Sequence, residues 1–156
     1  MRPFDQPVTA KILAFIEAVG IPVEIAELPH ATVLPGMDVV RGRLIVDPDR
    51  LGWPGDLLHD AGHIAVSDPA SRATAEAVSP DPGEEMAAIA WSWAAARAIG
   101  IDPAIVFHDA GYGAGGGYLA DNFAEGRYVG VPLLQWFGMT RERGEGAFPA
   151  MQRWVR

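Results

Sequence analysis

Two of the chain's four histidines, His59 and His63, lie four residues apart in the segment Leu-Leu-His-Asp-Ala-Gly-His-Ile-Ala. In an α-helix, side chains at positions i and i+4 leave the same face one turn apart. Two imidazoles in that arrangement can bind one metal ion, and helices hold zinc with this spacing. The segment therefore predicts part of a metal site, and other parts of the chain must supply the remaining ligands.

Two glutamates, Glu84 and Glu85, begin the next segment that has a helical pattern, and the rest of that segment is nearly apolar. A hydrolytic zinc site usually combines three protein ligands with water, so one further side chain is needed beside the two histidines. Glu85 shares a helix face with apolar side chains that point toward the core. A carboxylate turned inward needs a compensating charge, which a cation supplies. We therefore expect Glu85 to be the third ligand, with Glu84 as the alternative.

This combination of a short strand, a helix with Leu-His-x-x-Gly-His and a glutamate on the following helix resembles the zincin metallopeptidases. More narrowly, it resembles the gluzincins, whose motif is His-Glu-x-x-His with a distal glutamate. The similarity covers roughly residues 43–95. The resemblance implies a zinc-dependent peptidase or amidase, in which zinc is held by His59, His63 and Glu85 (or Glu84) and acts on a peptide or small-molecule substrate.

The chain departs from the gluzincin motif at Asp60, which occupies the position of the glutamate that activates water in that family. Aspartate is one methylene shorter than glutamate, and general-base catalysis depends on hydrogen-bond reach to the water. The resemblance also implies a later His or Tyr that steadies the oxyanion. We expect His108 or Tyr112 to take that role, with Tyr118 as an alternative.

A second resemblance leaves the function open. Leu-Leu-His-Asp-x-Gly-His also resembles the HD-domain phosphohydrolases, in which the adjacent His-Asp pair binds the metal. That resemblance implies Asp60 as a ligand of magnesium, manganese or iron, with His30 upstream and Asp109 or Asp121 downstream completing the site. HD domains are all-helical, so strands near His30 favour the zincin interpretation. A third hypothesis is a degenerate zincin scaffold that acts as a binding or regulatory module.

The composition restricts the classes of function. The chain has 156 residues, a net charge of −8 and no cysteine, so thiolate metal sites and disulfides are excluded. The acidic balance argues against nucleic acid as a partner, because no basic patch is present to contact phosphates. No apolar run approaches the length of a membrane span, so we expect a cytoplasmic protein without a membrane contact. The sequence leaves the oligomeric state open.

The hydrophobic pattern predicts an α+β fold, with a small two- to three-stranded sheet packed on a mostly helical, zincin-like domain that spans residues 1–156. The expected helices are residues 8–19, the motif helix 56–66 and residues 83–99, with shorter helical segments further along the chain. The expected strands are residues 22–28 and 43–47, and residues 30–38 and the glycine-rich segment 111–117 are expected to be loops. Asp56 is predicted to cap the motif helix.

Overall fold

The computed structural model describes residues 1–112 and 115–156. The glycine-rich segment 111–117 therefore includes two residues that lie outside the described part of the chain. The described residues form an α+β fold, as the sequence predicts. The helices are α1 (Pro7–Ala18), α2 (Asp56–Val66), α3 (Pro82–Ile99), α4 (Gly116–Ala124) and α5 (Val131–Trp136), and the strands are β1 (Val23–Ile25), β2 (Met37–Val40) and β3 (Arg43–Val46).

The three strands form one mixed sheet in the order β1-β3-β2. β1 runs parallel to β3, and β2 runs antiparallel to it, with Met37 opposite Val46. The sequence prediction of a loop over residues 30–38 is wrong at its end, because β2 begins at Met37. The strand was not predicted because Pro35 and Gly36, which directly precede it, usually mark turns. Here they precede a hairpin whose inward side chains, Met37 and Val39, are buried.

Helices α2 and α3 pack against each other at the centre of the molecule. Gly62 makes the close approach possible, because a Cβ at this position would lie 2.9 Å from the carbonyl oxygen of Ala88. Residues 87–96 of α3 are all buried, as expected for a helix that is apolar on most sides. The indole N–H of Trp91 donates to the carbonyl of Trp154 at 2.9 Å, which ties the C-terminal segment to this helix pair.

Helix α3 begins and ends where its sequence provides the signals, whereas the expected start signal of α2 is not used. Asp81 caps α3 by accepting a hydrogen bond from the backbone N–H of Glu84 at 3.0 Å. Gly100 ends α3 with a φ of 83°, in the left-handed region. The prediction that Asp56 caps α2 is wrong, because Gly55 occupies the cap position and Asp56 lies in the first turn. The Asp56 side chain is buried and is engaged elsewhere, as described below.

Candidate metal centre

The structure brings His59, His63 and Glu85 together between α2 and α3. Nε2 of His63 lies 2.7 Å from one carboxylate oxygen of Glu85, and Nε2 of His59 lies 3.1 Å from the other. One ligand atom from each of the three residues lies within 4.8 Å of the other two. Glu85, the expected third ligand, therefore lies close enough to both histidines for the three side chains to share one metal ion.

The local helix geometry explains this convergence. The four-residue spacing aligns both imidazoles on one face of α2, and their rings meet edge to face with centroids 4.9 Å apart. The close approach at Gly62 brings the start of α3 against the same face. Glu85 lies in the first turn of α3, where a carboxylate also interacts favourably with the positive end of the helix dipole.

The ionisable side chains of the cluster change one another's pKa values. Hydrogen bonds from His59 and then His63 hold the pKa of Glu85 well below its usual range. Burial opposes the charged form of His63, but the hydrogen bonds and charges of Glu85 and Glu84 outweigh it and raise the pKa of the imidazole. The carboxylate is therefore ionised at neutral pH, which is the state that a metal ligand requires.

Each histidine has a second partner at its other ring nitrogen. Nδ1 of His59 lies 3.1 Å from the hydroxyl of Tyr112. Nδ1 of His63 lies 3.4 Å from a carboxylate oxygen of Glu84. Both Nε2 atoms are left facing Glu85. Metal-binding histidines commonly have their non-coordinating nitrogen fixed by a carboxylate, carbonyl or other polar group in this way. Glu84 is thus placed as a partner of His63, outside the group of converging donors.

The donor set fits a divalent metal ion. Two imidazole nitrogens and one carboxylate oxygen are the ligands found in hydrolytic zinc sites, with a further position open to water. The three groups converge from two helices, and the contacts at Nδ1 fix the orientations of the two imidazoles. The set is poor in oxygen, which makes it less suited to magnesium than to zinc or another imidazole-binding metal.

A cleft of about 450 Å³ opens beside the cluster, and Asp60 lies on its wall together with both histidines and Glu85. Burial raises the pKa of Asp60 to about 6. Val33, Leu34, Met37, Val39 and Val78 give the cleft apolar walls, and Asp38 and Asp56 add two carboxylates. The lining that the structure describes contains no lysine or arginine.

His108 lies apart from the three converging donors. Its Nε2 is 2.7 Å from a carboxylate oxygen of the buried Asp56, and its ring stacks on Trp53 with centroids 5.1 Å apart. Burial raises the pKa of Asp56, and the hydrogen bond from His108 partly offsets this effect. Of the two residues expected to assist the reaction, the structure therefore brings Tyr112 to the cluster and pairs His108 with the start of α2.

The other residues considered from the sequence are on the surface. His30, Asp109, Tyr118 and Asp121 are exposed, and the group of converging donors among the described residues includes none of them. The further ligands that the HD-type hypothesis expects, His30 and either Asp109 or Asp121, therefore lie outside the group of converging donors that the described residues form. Each belongs to a separate loop or helix.

Two residues that line the cleft, Asp38 and Asp56, were not predicted from the sequence to belong to the site. Asp38 lies on β2, a strand that was not predicted, and Asp56 was expected to cap a helix. A signal for Asp38 was available, because Met37, Asp38 and Val39 alternate as a half-buried strand does. Asp56 gave no comparable signal, since its partner His108 follows 52 residues later.

Comparisons with known proteins find no significant match: no protein-family model, no curated protein and no solved structure aligns with this chain. Among residues 1–112 and 115–156, no helix combines the length and hydrophobicity that crossing a membrane requires.

Proposed function

We propose that this protein is a zinc-dependent hydrolase of peptidase or amidase type. The observation that carries the proposal is the convergence of His59, His63 and Glu85, whose ligand atoms lie within 4.8 Å of one another. This donor set is the one implied by the resemblance to the gluzincins. Zinc bound there would polarise a substrate carbonyl and make water a stronger nucleophile at neutral pH.

In this proposal Asp60 is the general base that removes a proton from the attacking water. Asp60 shares the cleft wall with the donor cluster, and its pKa of about 6 leaves the carboxylate largely ionised at neutral pH. A base with a pKa near the working pH combines the correct ionisation state with useful proton affinity.

The chemistry of the cleft favours an amide or peptide over a phosphate ester. The apolar walls and the roughly 450 Å³ volume suit a small, largely uncharged segment. Phosphoryl substrates are usually held by arginine or lysine, and neither residue type occurs in the described lining. For this reason we do not propose an HD-type phosphohydrolase. The alternative that remains to be tested against a zinc hydrolase is a scaffold without activity.

The proposal is tested first by elemental analysis of the purified, untagged protein beside two variants. We expect about one zinc per chain in the wild type and loss of zinc in His59→Ala. The matched control is His30→Ala, which removes an exposed histidine outside the cluster and should retain zinc. A screen of peptide and amide substrates with the zinc-loaded protein then follows.

Three results would contradict the proposal in different ways. Manganese, iron or magnesium in place of zinc, lost in His59→Ala, would move the assignment toward the HD-type class. Absence of any metal, even after titration, would leave a scaffold. Stoichiometric zinc without hydrolysis of any peptide or amide would support the metal centre and refute the enzymatic part.

A further inference from the structure

The hydroxyl of Tyr112 lies 3.1 Å from Nδ1 of His59. The phenol ring stacks on Phe107 with centroids 5.6 Å apart and meets the His59 ring edge to face at 5.4 Å. The backbone of Tyr112 has a φ of 54°, a left-handed conformation that is uncommon for a residue other than glycine. Aromatic packing and an unusual backbone thus hold this hydroxyl against the imidazole.

The groups that face the two ring nitrogens of His59 differ in whether they can donate a hydrogen bond as well as accept one. Nε2 is 3.1 Å from an oxygen of Glu85, and an ionised carboxylate can only accept a hydrogen bond. Without a metal, a neutral His59 therefore carries its proton on Nε2, and Nδ1 accepts from the Tyr112 hydroxyl. When Nε2 coordinates a cation, the proton must move to Nδ1, where it needs an acceptor.

A hydroxyl can meet both demands, because it donates in one rotation and accepts in another. Nδ1 of His63 faces a carboxylate oxygen of Glu84 instead of a hydroxyl. A carboxylate accepts a hydrogen bond but does not donate one, so this contact suits only the tautomer with the proton on Nδ1.

We propose that Tyr112 is a positioning residue for the metal centre, whose hydroxyl fixes the orientation of the His59 ring and supports both of its tautomers. This inference rests on the proposed metal site. It replaces the expectation that Tyr112 steadies an oxyanion with a role that acts through His59. The hydroxyl donates to Nδ1 in the metal-free protein and accepts from Nδ1–H when Nε2 is bound to metal.

The test uses Tyr112→Phe in the full chain, because this substitution removes only the hydroxyl and keeps the ring that packs on Phe107 and His59. The matched control is Tyr118→Phe, since Tyr118 is 73% exposed. Zinc affinity is measured by competition with a chromophoric chelator. We expect Tyr112→Phe to weaken zinc binding about 10- to 100-fold, the usual effect of losing such a partner, and Tyr118→Phe to change it less than about twofold.

Nitrogen NMR of the His59 ring provides a second measurement that does not depend on activity. In the metal-free wild type we expect the proton on Nε2 and an Nδ1 that accepts a hydrogen bond. Adding zinc should move the proton to Nδ1, and Tyr112→Phe should shift the Nδ1 resonance of the metal-free protein. Thermal unfolding of the metal-free variants checks that each is folded. If Tyr112→Phe does not fold, the Nδ1 resonance of the metal-free wild type still tests the inference, because a ring nitrogen that accepts a hydrogen bond resonates at a different position from one that accepts none.

The outcomes separate the two proposals. Equal zinc affinity and unchanged His59 resonances in Tyr112→Phe would overturn the role of Tyr112 and leave the metal site standing. A wild type that binds no zinc would refute the proposed function and the metal-bound half of this inference. In that case, the Nδ1 resonance of metal-free Tyr112→Phe would still show whether the hydroxyl orients His59.

Discussion

The tetrapeptide His-Asp-Ala-Gly occurs at residues 59–62 and again at 108–111. The first copy lies within α2, and the second lies in a turn that follows a short 3-10 helix. The helical copy directs its histidine to Glu85 and its aspartate to the wall of the cleft. In the turn copy, the histidine contacts Asp56 and the aspartate is exposed. Identical residues therefore meet different partners.

The difference shows that backbone conformation and packing, rather than residue type, give these side chains their roles. The helix repeats its face every four residues, so His59 gains His63 as a neighbour. A turn has no such repeating face, and His108 contacts the single carboxylate of Asp56 instead. The helical copy is also packed against α3 through Gly62, whereas the atoms nearest to a Cβ added at Gly111 would all belong to His108. Matched substitutions in the two copies can test this contrast.

Substitution of the two aspartates, Asp60 and Asp109, should give the largest difference in effect between the two copies. We expect Asp60→Asn to lower kcat/KM by about 10²- to 10⁴-fold on a peptide or amide that the wild type cleaves, because the proposed general base is removed. Asp109→Asn should leave kcat/KM unchanged, since Asp109 is exposed. Steady-state kinetics with zinc content measured in parallel checks both. Retained activity in Asp60→Asn, with zinc bound, would rule out Asp60 as the base.

Substitution of the two histidines should affect different properties: metal binding for His59 and the free energy of unfolding for His108. We expect His108→Ala to retain zinc, in contrast to His59→Ala, and to lower the free energy of unfolding by about 2–4 kcal/mol. The reason is that the buried Asp56 loses its partner and Trp53 loses a stacked ring. Chemical denaturation gives the free energy, and elemental analysis gives the zinc content. Loss of zinc in a folded His108→Ala would show that the turn copy also supports the metal centre.

The glycines should give the smallest difference. At Gly62 an added methyl would lie 2.9 Å from the carbonyl oxygen of Ala88 and 3.3 Å from the Trp91 ring, so α2 and α3 must separate. We expect Gly62→Ala to destabilise the fold by about 1–3 kcal/mol through overpacking. The nearest atom to a methyl at Gly111 is a ring carbon of His108 at 3.4 Å, an ordinary contact, so Gly111→Ala should cost less than about 1 kcal/mol. Thermal unfolding compares the two, and equal losses would contradict the packing argument.

The regular elements were the most predictable part of the fold. The sequence predicts α2 over residues 56–66 and α3 over residues 83–99, and the structure places them at Asp56–Val66 and Pro82–Ile99. Strand β3 also lies within its predicted range. These predictions succeed because helix and strand periods are local properties of the chain. β2 was missed because the turn-forming residues Pro35 and Gly36 precede it.

The candidate site was predictable only in part. The spacing of His59 and His63 indicates their shared face, and the apolar face of α3 favours Glu85 over Glu84. In the structure Glu85 contacts both histidines, whereas Glu84 contacts His63 alone. The expected inward position of Glu85 is wrong, because its side chain is 44% exposed and that of Glu84 is 13% exposed. The roles of Asp56 and His108 were not predictable, because each depends on a contact between segments far apart in the chain.

By itself, the sequence determined the helices, the common face of the two histidines and the acidic, cysteine-free character of the chain. These properties follow from residue type and from repeats of a few positions. Only the tertiary structure decided which glutamate meets both imidazoles, which group holds Nδ1 of His59, and where His108 lies. Those contacts join residues separated by 22, 53 and 52 positions. They depend on how closely α2 and α3 approach and on where the loop after α3 returns, and no local pattern encodes either.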